Sequence, residues 1–291
     1  MANGLLLVHA HPDDESLATG GTIARYAAAG VPVAVVTCTL GEYGEVIGDE
    51  LAGLAAEHAD QLGGYRLTEL RAACAELGVS AHRFLGGLGR WRDSGMAGTD
   101  AIRHPRAFAA GDLDEQAAAL TAILDELRPR VVVSYDSGGG YGHPDHIRAH
   151  EVTMAATADG PYRVFCVVSA RSTIDAGVAG LAAMAGMPFR LPTPGELPTL
   201  PDDVVTTTVD IAAHVPAKLA AMRAHATQVT VWEGVDGQKV YALSDGVARP
   251  VCTVEQFALA SGPVDRTSVR ADLFGGTTRF GGAAGFGGAA G

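Results

Sequence analysis

The sequence predicts an α/β fold of the Rossmann-like kind: a mostly parallel sheet with helices on both faces, plus a smaller C-terminal α/β portion. Three observations carry this. Short Val- and Leu-rich runs recur at residues 5–8, 33–38, 130–135 and 162–169, too short for buried helices and suited to strands covered on both faces. Segments of helical periodicity lie between them, and strands separated by helices imply parallel pairing through crossovers. Beyond about residue 187 the alternation gives way to a Pro-rich stretch holding Pro188, Pro192, Pro194, Pro198 and Pro201, after which only one further strand and one helix are readable.

In chain order, residues 5–8 form the first strand and 17–29 a helix, stopped by Gly30 and Pro32. Residues 33–38 form the second strand. A turn-rich loop at 41–44 leads into a helical stretch over 50–61. Gly63 and Gly64 interrupt it, and 65–77 resumes it up to a Gly78 cap. Residues 82–85 make a short third strand. Residues 86–111 lack periodicity, and so long a loop inside a compact domain is usually functional. A helix over 112–127 precedes Pro129 and the fourth strand, 130–135. Ser137-Gly138-Gly139-Gly140 then reads as a hinge; without the Lys-Ser/Thr of a P-loop it is a poor phosphate cradle. A helix over 146–158, a strand over 162–169, a strand over 204–209 and a helix over 212–226 complete the pattern. Three regions follow: a catalytic core over 1–170, a part over 171–273 completing the fold and the pocket, and a flexible Gly/Ala-rich tail over 274–291.

The 291 residues carry 33 Asp and Glu against 21 Lys and Arg, a formal net charge of −12. Without a run of basic residues, a nucleic-acid or anionic-membrane partner is disfavoured. Cys38, Cys74, Cys166 and Cys252 are scattered without a CxxC pair, as buried thiols of a reducing cytoplasm are. The N-terminal residues lack a signal-peptide pattern, and no apolar run reaches the ~20 residues a membrane span needs. The expectation is a cytoplasmic protein. No residue pattern specifies an oligomeric state.

The chemistry lies in two short runs. His11-Pro12-Asp13-Asp14 follows the first strand and His143-Pro144-Asp145-His146 follows the fourth. In a doubly wound sheet, ligands bind beyond the carboxyl ends of the strands where strand order reverses, commonly between these two strands. Two imidazole–carboxylate clusters there supply three metal ligands and spare acid–base groups, the inventory of a hydrolytic zinc site with one open position. The candidates are His11, Asp13 or Asp14, and His143 or His146; spacing alone does not choose between neighbours. His9 reads as structural, and Glu15 as a cap for the following helix. No GxGxxG follows the first strand, so a dinucleotide site is disfavoured.

The run from His9 to Glu15, with Gly142-His143-Pro144-Asp145-His146, resembles the LmbE/PIG-L family of metal-dependent N-acetylglucosaminyl deacetylases. The segments 37–42, 44–49, 57–66 and 89–96, with 224–229 near the end, resemble one branch of it, which removes acetate from N-acetylglucosaminyl-inositol in mycothiol biosynthesis. The resemblance implies Zn2+ (or Fe2+ in the cell) on His11, Asp14 and His146, and a small pseudodisaccharide substrate. It makes Asp13 the general base and His143 a cationic group that steadies the oxyanion and protonates the leaving amine. Asp145 would orient His143, Tyr141 would polarise the amide oxygen from a mobile loop, and Arg66 and Asp93 would hold sugar and inositol hydroxyls. From the residues alone, Arg66 also reads as an ion-pair partner and Asp93 as a partner of Arg90 or Arg92. His225 lies in a matching segment. Alternatives are an amidase of mycothiol S-conjugates, whose pattern has a Lys where Ser16 to Thr19 stand here, a deacetylase of another N-acetyl sugar, and a non-enzymatic sugar-binding Rossmann module.

Overall fold

The computed structural model describes residues 4–234, 237–262 and 271–275. The first strand, β1 (Gly4–His9), leads into helix α1 (Asp14–Ala28) and then β2 (Val33–Thr37). Helix α2 (Leu62–Leu77), β3 (Ala81–Phe84), α3 (Leu113–Leu127) and β4 (Pro129–Tyr135) follow. A short helical turn α4 (Gly139–Gly142), helix α5 (Pro144–Thr157), β5 (Arg163–Val168) and α6 (Arg171–Leu181) complete the first part. The C-terminal part holds β6 (Thr207–Asp210), α7 (Val215–Ala224), the hairpin strands β7 (Thr230–Glu233) and β8 (Lys239–Ala242), the short β9 (Arg249–Pro250) and β10 (Val254–Ser261).

The main sheet runs β3-β2-β1-β4-β5-β10-β6, and β7, β8 and β9 form a separate antiparallel sheet. Strands β3 to β5 pair in parallel, whereas β10 runs antiparallel between β5 and β6. Side chains alternate across a strand, and β1 shows the consequence: Leu5 and Leu7 enter one core with Ile23, Tyr26 and Phe257, while Leu6 and Val8 enter the other with Leu120 and Leu124. Both faces are therefore covered, which is why these strands are apolar throughout.

The expected helix over 50–61 is replaced by a 3-10 helix at Asp49–Leu54, and the glycines open α2 rather than interrupt it. A Cβ on Gly63 would stand 2.8 Å from Glu42 Cγ and 2.9 Å from Leu40 Cβ, so glycine lets the loop after β2 lie against the helix. Gly78 caps α2 at φ 73°, as its position in the sequence requires. The expected strand over 204–209 is displaced to β6, after a 3-10 turn at Asp202–Val204. Of the expected tail, Phe274 is packed in the core, its ring 5.3 Å from that of Tyr26, and residues 276–291 lie outside the described residues. Among the described residues no helix is long and apolar enough to cross a membrane.

Candidate active site

Strand β1 pairs with β2 on one side and β4 on the other. The chain order therefore reverses between β1 and β4, and a crevice opens beyond their carboxyl ends. Asp14 is the first residue of α1, and His143 precedes α5 as its N-cap. The two distant clusters meet across this crevice.

Asp14 Oδ2 stands 3.4 Å from His11 Nδ1 and 3.3 Å from His146 Nε2. A tetrahedral ion with bonds near ~2.05 Å separates its ligand atoms by roughly 3.3 Å, so each of the two imidazole nitrogens stands from the Asp14 oxygen at the spacing of two ligands on one metal. The His146 Nε2 is buried and makes no hydrogen bond, a state that costs free energy unless something binds it. The ring of Tyr135 stacks on His146, with centroids 4.1 Å apart. The carboxylate of Asp14 is steadied by the N–H of His11 at 2.9 Å. The residues present fit a divalent metal.

The far edge of His11 fixes its tautomer. Its Nε2–H donates to Asp145 Oδ2 at 3.2 Å, with Asp93 Oδ1 at 3.6 Å. Because a carboxylate only accepts, Nε2 carries a proton, and a metal bound beside Asp14 would take the lone pair of Nδ1. This corrects the expectation for Asp145, whose carboxylate orients His11 and not His143. Ser94 N–H donates to the same oxygen at 2.9 Å.

What orients His143 is its place at the start of a helix. The Asp145 N–H donates to His143 Nδ1 at 3.1 Å, so the ring acts as a helix cap and carries its proton on Nε2. Burial, with His11 and His146 beside it, pushes the imidazole down to about 3. His143 is a neutral donor here, not the cation expected from the sequence. Tyr141, on α4, is half-exposed, and its ring stands edge-on to His146 at 4.9 Å between centroids. Gly139 and Gly140, the first two residues of that turn, adopt positive φ, conformations that suit glycine.

Asp13 has an unusual backbone, φ 114° and ψ −33°. Its carboxylate pairs with Arg66 at 3.0 Å. Burial pushes the Asp13 carboxyl up to about 6, with Arg66 pulling the other way. The Arg66 side chain is itself buried and donates to Gly41 O at 2.8 Å and to Pro12 O. Its donors hold the Asp13 turn, which departs from the expected reach to substrate hydroxyls. Asp93 is also buried, accepting from Gly95 N–H at 2.8 Å and Tyr43 N–H at 3.2 Å. Neither Arg90 nor Arg92 pairs with it; these meet Glu115 and Asp60.

His9 is structural, as expected, bonding Thr19 Oγ1 at 2.9 Å. Glu15 accepts the Asp13 N–H at 3.0 Å, the capping role read from the sequence. Sequence reasoning missed Tyr135 and Glu42, whose Oε2 accepts the Asp93 N–H at 3.0 Å; Glu42 stood in one of the matching segments without a role attached. From Asp14, Tyr141 and His146 a cavity of about 260 Å3 runs outward past the end of β5, walled by Pro198, Leu200 and Val251. The Pro-rich segment is thus a wall of this cavity.

Residues 6–157, just over half of the chain, match the family described as GlcNAc-PI de-N-acetylase, PIG-L. The chain is 62% identical over 274 residues to 1D-myo-inositol 2-acetamido-2-deoxy-alpha-D-glucopyranoside deacetylase of Actinosynnema mirum, covering 94% of this chain and 96% of that protein. It is 60% identical over 285 residues to the first of the enzymes so named in Saccharopolyspora erythraea, covering 94% and 93%. Among solved structures, the 4-carboxy-2-hydroxymuconate hydratase of Pseudomonas putida superposes with a TM-score of 0.56 at 20% identity, covering 91% of this chain and 98% of the other. That likeness speaks for the fold alone, since one fold hosts different chemistries. The extent of the family match and the identity to two deacetylases along nearly the whole chain make this protein a member of the PIG-L de-N-acetylase family.

Proposed function

We propose that this protein hydrolyses the acetamide of 1D-myo-inositol 2-acetamido-2-deoxy-α-D-glucopyranoside, releasing acetate and glucosaminyl-inositol for mycothiol biosynthesis. The substrate rests on the names of the relatives at 62% and 60% identity. The reaction type rests on one observation: Asp14 Oδ2 lies 3.4 Å and 3.3 Å from two imidazole nitrogens, with a second carboxylate, Asp13, beside it. In this reading His11, Asp14 and His146 hold the metal, zinc by donor type, with ferrous iron as the alternative the same donors accept. Cytoplasmic residence belongs to the proposal and is supported by four free cysteines.

The bound metal supplies a Lewis acid for the amide carbonyl and acidifies water. Asp13 takes a proton from the attacking water as the C–O bond forms, and Arg66 favours the ionised carboxylate that this requires. The oxyanion receives the Nε2–H of His143 and the hydroxyl of Tyr141. As the C–N bond breaks, Asp13 passes the same proton to the leaving nitrogen, so one residue serves as base and then acid. A neutral His143 is thereby a donor in place, with no proton of its own to give up. Asp145 and Asp93 act through His11 by holding its tautomer. A sugar-binding module needs neither the metal trio nor a carboxylate held in a strained turn.

Initial rates on the inositol glycoside, on a mycothiol S-conjugate and on free N-acetylglucosamine test the substrate. The proposal expects the highest kcat/KM on the inositol glycoside. A preference for the conjugate would assign the chain to the amidase reaction instead.

A further inference from the structure

Asp13 is one of three non-glycine residues with positive φ among the described residues. Asp60 at 52° and Arg128 at 48° have the φ of the ordinary left-handed well, but Asp13 at 114° lies far outside it. Such a conformation costs free energy and persists only where its surroundings impose it. Arg66 holds the turn through the Asp13 carboxylate and Pro12 O. The peptide N–H is held from a different quarter: it donates to Glu15 Oε2 at 3.0 Å.

The other oxygen of that carboxylate, Oε1, accepts from His225 Nε2 at 2.7 Å and from Ser16 Oγ at 2.6 Å. Glu15 and His225 are both fully buried, and the contact joins residues 210 positions apart. Since the carboxylate only accepts, His225 carries its proton on Nε2. Its own backbone is anchored, because the N–H groups of Gln228 and Val229 both donate to His225 O at 2.9 Å. A rigid imidazole thus fixes a rigid carboxylate, which fixes one peptide group. Neither residue belongs to the trio proposed to hold the metal, and the mechanism above gives neither a chemical step.

We propose that His225 and Glu15 are positioning residues for the reaction: the pair pins the Asp13 N–H and so keeps the strained turn that aims the Asp13 carboxylate beside Asp14. This rests on the reading of Asp13 as the base. Removing His225 frees Glu15 to rotate, the Asp13 turn relaxes, and the carboxylate leaves its working position while the three metal-binding side chains stay.

A double-mutant cycle on the metal-loaded protein tests this, with kcat, KM and metal content measured for each variant. Asp13→Ala alone must first lower kcat by about 10²–10⁴-fold, the contribution of a general base; if it does not, the reading of the base fails and not the positioning idea. His225→Ala is expected to lower kcat by roughly 10–10²-fold, the scale of a misplaced reacting group, with KM and metal content unchanged. His225→Gln, whose side-chain N–H can reach Glu15, is expected to recover most of that loss. In the Asp13→Ala background, His225→Ala should change kcat by less than about 2-fold, because residues that act as a unit are non-additive. Equal losses in both backgrounds, or no loss in the wild-type background, would overturn the proposal. If His225→Ala does not fold, Glu15→Leu, which removes both acceptor oxygens, takes its place in the cycle, with the same expected and contrary results.

Discussion

Replacing Arg66 by Met removes the cation beside Asp13 while keeping most of the side-chain volume. The two charges are 3.0 Å apart, and at an effective dielectric near 20 their attraction is about 5.5 kcal/mol, an upper limit. Opposite charges at such range shift a carboxyl by roughly 1–3 pH units, about 1.4–4 kcal/mol. The sign follows from which form the cation favours. Arg66 stabilises the ionised carboxylate, so its loss favours the proton and raises the pKa. With Asp13 at about 6 in the wild-type protein, a shift of about two units carries it to roughly 8. At a pH midway between the two values the ionised fraction then falls from about nine-tenths to about one-tenth, a loss of roughly tenfold in rate that rising pH restores. A bound dication lowers both values together and leaves their separation. The assay is the pH profile of kcat/KM for both proteins on the inositol glycoside. An acid limb displaced upward by at least about one unit in Arg66→Met supports the reasoning; superimposable limbs refute it.

Three further outcomes can be checked. Lys218→Met leaves Glu255, 2.7 Å from Lys218 Nζ and buried, without its counter-charge; a loss of about 3–5 kcal/mol in urea unfolding is expected, and adding Glu255→Gln should recover part of it. Gly21→Ala places a methyl 2.6 Å from Ile211 Cβ and 2.9 Å from its Cγ2; a destabilisation of about 1–3 kcal/mol follows, and an unchanged melting temperature would contradict it. Tyr141→Phe removes one proposed oxyanion donor and should lower kcat by about 10²-fold with little change in KM.

The strands that build the site were legible because each is an apolar run closed by a turn residue, and β1, β2, β4 and β5 fall within two residues of the positions read. The meeting of His11 with His146 followed from the reversal of strand order, which sequence alternation implies. The antiparallel β10 was hidden: Glu255 and Gln256 interrupt its apolar pattern, and Glu255 is buried because its carboxylate caps the N–H groups of Gly21 and Thr22 at 3.0 Å and 2.7 Å. The hairpin strands β7 and β8 were missed for a similar reason, being short and only partly buried. Side-chain direction was equally out of reach. Asp145 sits two residues from His143 yet turns its carboxylate toward His11, because α5 begins between them and points the side chain across the crevice. Arg66 could be placed near the site by its motif, but its pairing with Asp13 depends on how α2 lies against the loop after β2. The Glu15–His225 contact joins residues 210 positions apart, and no local pattern encodes it.

In the proposed mechanism His11, Asp14 and His146 share one divalent ion that the hydrolysis requires. The most direct measurement is acetate release from the inositol glycoside, with metal content determined on the same samples, for chelator-stripped protein, protein reloaded with zinc or ferrous iron, and His146→Ala. About one metal per chain and activity are expected in the reloaded wild type, and neither in the stripped protein or the variant. Full turnover by metal-free protein, or by His146→Ala without bound metal, would contradict it.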